Sequence, residues 1–231
     1  MWSISSEKDV LLCRPMTFHE HAFAGCDDVV VVTTAIEDID VQGAGISLPP
    51  DIRLSVRSRQ NEYVAGRLCA QHALHRLTGD VVVVRRSESG LTIWPDGIVG
   101  SISHCAGTAC AAVGFGVYVQ HLGVDVETVV AANLVGEVLS FCACASEITR
   151  YNDPISATLL FSAKEAVYKA YSHILGNTIE FTDLEIVNID YSTNNVHLQT
   201  TRALGSIPSR HAINCRFIVL SDVVLTLVIP R

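Results

Sequence analysis

Two carboxylates stand two residues apart in Gly123-Val124-Asp125-Val126-Glu127. On an extended strand, residues i and i+2 leave the same face, roughly 6.5–7 Å apart, so Asp125 and Glu127 would share one face and Val124 and Val126 the other. Carboxylates that close repel unless a cation or a base lies between them. Mg²⁺ could take oxygens from this pair and complete its shell with phosphate oxygens. Two solvated acids at an exposed strand end would explain the pattern equally simply.

A second group lies in residues 161–170, FSAKEAVYKA. Helical spacing puts Ala163, Ala166, Val167, Ala170 and Tyr171 on one buried stripe. It puts Glu165 and Lys169 together on the opposite side, where helical spacing alone favours an ordinary surface pair. As a plain surface pair at i, i+4 they would contribute only about 0.3–0.5 kcal/mol. In Ser101-Ile102-Ser103-His104 a serine adjoins a histidine, but no G-x-S-x-G elbow accompanies them. Ser103 and His104 fit better as hydrogen-bond donors to an anion at a strand end, or His104 is a satisfied core histidine. Arg59 and Arg67, eight apart, fall on nearly the same helix face, and with Arg86 they could grip a polyphosphate. Scattered surface arginines are the plain alternative. The cluster His19, Glu20, His21 lacks a further ligand set and reads as a solvated loop.

The elements that must position these residues follow from hydrophobic period. Residues 28–36, DVVVVTTAI, read as a buried strand, and residues 46–50 as a turn before a helix. Residues 51–77 read as one helix or two, clearest from 59 to 77 and stopped by Gly79. Residues 80–84 read as a second β-branched strand and 85–95 as a polar turn. From Ile98 two strands meet near Gly107 and Gly114–Gly116. Residues 129–151 read as helical with Pro154 as the break, and 156–175 as a strong helix ended by Gly176-Asn177. Residues 184–189, 196–199, 212–220 and 223–229 read as strands. Each half thus holds helical material followed by strands, an α+β build in two similar halves, with no low-complexity linker to part them.

Composition bounds the function. Of 231 residues, 49% are hydrophobic and 17% charged, so the core is large and the chain is not a disordered type. A net charge of −8 argues against general nucleic-acid binding. No charged residue falls between Asp96 and Asp125, yet this run is no membrane span: it holds five glycines from Gly97 to Gly116 together with Ser101, Ser103, His104 and Gln120. The first residues, MWSISSEKDVLLCRP, lack the pattern of a secretory signal. Eight cysteines without a Cys-x-x-Cys pair then suit buried reduced thiols in the cytoplasm.

The order of the motifs is more specific than any of them. GRLCAQHAL, then WPDGIVGSISH, then GVDVE, then FSAKEAVYKA resembles the Sfp-type 4'-phosphopantetheinyl transferases, in particular the enterobactin-synthase-component-D-like branch. The resemblance covers about residues 50–185. It implies the family's fold, two pseudo-twofold-related halves packed as one body, divided here at residues 1–120 and 121–231 with the active site in the cleft between them. It implies Mg²⁺-dependent transfer, with Mn²⁺ as a substitute, of the phosphopantetheine arm of coenzyme A to a serine of an apo acyl or peptidyl carrier protein, releasing adenosine 3',5'-bisphosphate. By motif, Asp125, Glu127 and Glu165 would hold the metal, with Glu165 either ligand or base. Lys169 would stabilise the phosphate charge with Lys164 beside it, and Arg59, Arg67, Arg86, Ser103 and His104 would contact coenzyme A. A monomer would form the whole cleft. Carriers for fatty acid, polyketide, siderophore or other peptide synthesis all remain open. The other readings are a Mg²⁺-dependent phosphohydrolase and a non-catalytic coenzyme A-binding module.

Overall fold

The computed structural model describes residues 16–36, 39, 41–175 and 179–230; Cys13 and the expected helix stop at Gly176-Asn177 lie outside them. Two antiparallel sheets carry the architecture. The first holds β1 (Phe18–His21), β2 (Val29–Ala35), β5 (Ile98–Cys105) and β6 (Thr108–Phe115) in the order β1-β2-β6-β5. The second holds β7 (Gly123–Thr128), β8 (Leu184–Asp190), β9 (Asn195–Thr200), β10 (Ala212–Leu220) and β11 (Val223–Val228) in the order β7-β11-β10-β9-β8. A short ribbon pairs β3 (Arg85–Arg86) with β4 (Thr92–Ile93). The long helices are α2 (Arg57–Thr78), after the single turn α1 (Pro50–Arg53), and α5 (Pro154–Leu175), after α3 (Val135–Cys142) and α4 (Ala145–Ile148). The fold is mixed α+β.

Each sheet buries one face under one 22-residue helix. Helix α2 sets Val64, Ala65, Cys69, Ala70, Ala73 and Leu74 against Ala109, Ala111 and Val113 of β6. Helix α5 buries the expected stripe, Ala163, Ala166, Val167, Ala170 and Tyr171, against the second sheet. A third cluster joins the sheets: Val31 of β2 and Cys110 and Ala112 of β6 meet Val124, Val126, Leu225 and Leu227. Strand β6 is therefore apolar on both faces, as a strand sandwiched between layers must be. This accounts for the uncharged run. Its hairpin β5–β6 turns at Gly107, φ +85°, a backbone region that suits glycine. It then crosses to the second sheet as a third strand, β7.

Several sequence expectations are corrected. Residues 80–84 form no strand: Val81 and Val83 are 87% and 66% exposed, and only Val84 is buried. β-branched residues favour extended backbone, but among the described residues no strand pairs with them. The expected polar turn carries the ribbon instead, with Arg86 opposite Thr92. Residues 129–151 do not make one helix. A 3₁₀ turn (Ala132–Leu134) leads into α3, the chain extends at Ala143 and Cys144, and α4 restarts, with the Glu147 carboxylate accepting the Cys144 amide at 2.6 Å. Pro154 opens α5 rather than breaking a helix, since its missing N–H is not needed in a first turn. The Asp153 carboxylate caps that turn, accepting the amides of Ile155 and Ser156 at 3.1 Å each. His19, Glu20 and His21 lie on strand β1 rather than a loop. Glu20 pairs with Arg76 at 2.6 Å and His21 Nε2 lies 2.7 Å from the Thr33 hydroxyl.

Candidate active site

The site grows from close approaches that two glycines permit. A Cβ at Gly123 would overlap the carbonyl oxygen of Ala166 and come within 2.6 Å of the Ala170 amide, so β7 lies directly on the backbone of α5. A Cβ at Gly66 would come within 2.8 Å of the Ile102 side-chain atom Cγ2, so α2 packs closely over the side chains of β5. Strand alternation does the rest. Gly123, Asp125 and Glu127 face α5 while Val124 and Val126 enter the cluster between the sheets. Strand β5 lies against β7, which brings Ser103 to Asp125.

Asp125 is 1% exposed and fully engaged. Its Oδ1 accepts from Lys169 Nζ at 2.6 Å and from Ser103 Oγ at 2.7 Å, and its Oδ2 accepts from Ser162 Oγ at 2.8 Å. Lys169 also donates to Ser103 Oγ at 2.7 Å. Ser162 lies 2.8 Å from the Thr226 hydroxyl, and Thr226 sits directly opposite Asp125 on β11. Lys169 is thus committed to Asp125 beneath its own helix and to Ser103 across the inter-sheet boundary rather than to Glu165 on α5. The surface-pair reading of Glu165 and Lys169 is overturned: α5 turns this face inward, onto β7.

Glu127 and Glu165 complete the cluster differently. Both are half-buried, and neither carboxylate has a hydrogen-bond partner among the described residues. Burial, then the Asp125 charge, pushes the Glu127 carboxyl up to about 8; Lys169 opposes and Glu165 adds. Burial also raises the Glu165 carboxyl, with Lys169 opposing and Asp125 adding. Ionised together, three acids would face one ammonium in a half-buried place, and without a cation the raised Glu127 and Glu165 carboxyls relieve that excess by holding protons. Among the described residues no group of three or more His, Cys, Asp or Glu side chains closes into a metal cage. The donor chemistry nevertheless fits a hard divalent cation: oxygen ligands only, two of them without donors, and a charge excess to neutralise.

Ser103 and His104 point to opposite faces, as neighbours on a strand do. Ser103 joins Asp125, whereas His104 faces α2. There Arg59 Nη1 lies 2.7 Å from His104 Nε2 and 3.1 Å from Glu62 Oε2, and His104 Nδ1 lies 3.6 Å from the same carboxylate oxygen. A guanidinium can only donate, so Nε2 accepts and the imidazole proton sits on Nδ1, toward Glu62. Burial holds His104 below the usual histidine range, in keeping with a neutral ring. Arg67 is buried, donates to Thr92 Oγ1 at 2.8 Å and lies 5.0 Å from the centre of the Tyr63 ring. Arg86 pairs with both Asp51 oxygens at 2.9 and 2.8 Å and donates to the Gly90 carbonyl at 3.1 Å. Arg67 and Arg86 therefore flank Thr92, while Arg59 belongs to the His104 group.

Lys164 stands apart from all of these. Its ammonium is wholly buried on Glu147 at 2.7 Å and on the Cys142 carbonyl at 2.9 Å, where it ties α5 to α3 and α4. Glu147 in turn accepts backbone amides from Cys144 and Ile186. Ser162, Thr226 and Glu62 are site residues not anticipated from the sequence. Each left a signal: Ser162 precedes Lys169 by seven, one helix face; Thr226 is the single hydroxyl in VVLTLV; Glu62 follows Arg59 by three.

Comparisons with known proteins identify the family. Residues 50–114 match the 4'-phosphopantetheinyl transferase N-terminal domain, and residues 121–228 match the 4'-phosphopantetheinyl transferase superfamily. Enterobactin synthase component D of Salmonella typhi is 38% identical over 126 residues, 52% of this chain and 52% of that protein. The 4'-phosphopantetheinyl transferase PptT of Mycobacterium tuberculosis (strain ATCC 25618 / H37Rv) is 36% identical over 141 residues, 59% of this chain and 62% of that protein. The chain spans about half the length of the Salmonella enterobactin synthase components it matches. The first family match carries α2 and the β5–β6 hairpin, and the second carries β7 and α5, the elements that build the cluster around Asp125; the chain belongs to the 4'-phosphopantetheinyl transferase superfamily.

Proposed function

We propose that this protein transfers the 4'-phosphopantetheine of coenzyme A to a serine of an apo acyl or peptidyl carrier protein, releasing adenosine 3',5'-bisphosphate. One observation carries the reading: a buried Asp125 held by Lys169, Ser103 and Ser162, beside two carboxylates without donors. Asp125, Glu127 and Glu165 would hold Mg²⁺, with Mn²⁺ as a substitute. When bound, the cation neutralises charge on the pyrophosphate and on the departing phosphate. Lys169 supports the same charge from the other side of Asp125. Glu165, its carboxyl raised, accepts the proton of the carrier serine as that oxygen bonds to the phosphorus of the pantetheine-bearing phosphate. The bond from this phosphorus to the bridging oxygen breaks, and adenosine 3',5'-bisphosphate departs. Ser103 steadies Asp125 and Lys169. Arg59 with His104, and Arg67 with Arg86, bind the remaining phosphates of coenzyme A.

In this reading residues 1–120 contribute most coenzyme contacts and residues 121–231 the metal and acid–base groups, with the substrates meeting between the halves. The working unit is a cytoplasmic monomer. Among the described residues no helix is long and apolar enough to cross a membrane. The test is direct. Protein, coenzyme A, Mg²⁺ and apo carriers should give a phosphopantetheine mass increase on one carrier serine. Asp125→Asn should lower the rate by about 10²–10³-fold, the scale of a lost electrostatic stabiliser. No modification across a panel of acyl and peptidyl carriers sinks the reading. Release of phosphopantetheine without a carrier identifies a phosphohydrolase instead.

A further inference from the structure

A cavity of about 520 Å³ opens where the halves meet, and none of Ser103, Asp125, Glu127, Glu165 or Lys169 lines it. Its walls come from residues just before β7 and from the far end of β11, where Leu227 pairs with Val124. Asp125 and Glu127 lie further along β7, away from it. The volume falls within the roughly 300–1,000 Å³ of small-molecule sites.

Two polar side chains without partners among the described residues line it. Arg216 is half-buried, and its guanidinium has no hydrogen bond or ion pair among the described residues. It packs over Gly25, where a Cβ would stand 3.3 Å from Nη2. Tyr171 is 5% exposed, and its hydroxyl also has no partner among the described residues. Neither group is sealed from solvent, so the guanidinium and the phenol are both open to donate to an anion that enters the cavity. Val119, Leu227 and Ile229 supply apolar wall beside these two donors. Asp28 lines the same cavity and the chain carries −8 overall. One guanidinium in that field suits a single negative charge with two coplanar oxygens better than a phosphate dianion.

We propose that this cavity binds a small monocarboxylate with an aromatic or branched apolar body, its carboxylate on Arg216 and Tyr171. The site is separate from the transferase reading and does not depend on it. The probe is phenylacetate, titrated into the full chain and followed by amide chemical shifts. Shifts should centre on Tyr171, Arg216 and residues 117–120 and saturate with a Kd near or below about 1 mM. Arg216→Gln should weaken binding about tenfold or more, and Tyr171→Phe by several-fold. Glu127→Gln should bind as the parent does, and excess coenzyme A should not displace the probe. Phenylacetamide, neutral and of the same shape, should bind at least about tenfold more weakly to the unaltered protein, which keeps the test decisive if Arg216→Gln fails to fold. Absence of saturable shifts, shifts centred on Ser103 and Lys169, displacement by coenzyme A, or equal binding of the amide overturns the proposal. Tighter binding of phenyl phosphate than of phenylacetate overturns the carboxylate assignment.

Discussion

At the scale of single residues, the informative contrast is between Lys169 and Lys164, five apart on one helix. Lys169 is a quarter exposed at its side chain and reaches Asp125, whereas Lys164 is wholly buried and reaches Glu147. Composition and spacing could not separate them, because both follow from which face of α5 meets which neighbour. Removing one member of a buried pair leaves the other charge stranded. Lys164→Met should therefore cost about 3–5 kcal/mol in urea unfolding, while the Kd for coenzyme A moves less than about threefold, within the ordinary scatter of remote changes. Glu127 makes the complementary case. Its carboxyl is raised, so the folded state holds its proton to higher pH than the unfolded chain does. The resulting cost is absent below about pH 4.5, grows as pH rises and is complete above about pH 8. Glu127→Gln should then stabilise the metal-free protein at pH 8 by about 1–3 kcal/mol and do nothing at pH 4.5. Mg²⁺ should raise the Tm of the parent at pH 8 and shift the variant much less. Thermal melts at both pH values, with and without Mg²⁺, check this; a variant less stable than its parent at pH 8 contradicts it.

Elements positioned by a strong period were legible from sequence, and those positioned by their neighbours were not. The stripe of α5, the body of α2 and the last four strands follow from apolar spacing that tertiary contacts merely use. Residues 80–84 look like a strand because valine prefers extended backbone, but a strand needs a partner, and the sequence does not say whether one is nearby. The single helix expected over 129–151 fails for a related reason: the chain breaks at Ala143-Cys144 to deliver the Glu147 carboxylate into the core. The candidate residues themselves were legible by type. What could not be read was that Asp125 is bonded by Ser103 of the other sheet and by Ser162 and Lys169 of α5, contacts spanning 22, 37 and 44 positions. Gly123 is where that assembly is most exposed to change. Gly123→Ala should push β7 off α5, cost about 3 kcal/mol or more as overpacking against backbone, and reduce activity beyond the loss of folded protein. Urea unfolding and the rate per folded molecule check both parts; an alanine variant of parental stability would show that β7 and α5 are not in contact.

For the whole molecule, charge sets the kinetics of meeting a partner. At −8, the protein repels any carrier that is also acidic, and this repulsion is screened within about 8–10 Å at ordinary ionic strength. The KM for an acidic carrier should therefore fall as salt is added, and a steep rise would indicate a basic docking face instead. Binding of coenzyme A should respond in the opposite sense, since its phosphates are held by local arginines. The two sheets themselves are held by an apolar seam, Val31, Cys110 and Ala112 against Val124, Val126, Leu225 and Leu227, with the Asp125 group as polar reinforcement.

That seam makes the bond from Ser103 to Asp125 a gauge of docking. Each sheet has its own helix and its own core, but Ser103 belongs to one and Asp125 to the other. A slip of an ångström along the seam would leave both helices, every strand and the Lys169–Asp125 pair intact and would still part Ser103 from both. Heat inactivation should accordingly run ahead of the loss of secondary structure, and a brief return to low temperature should restore the lost turnover.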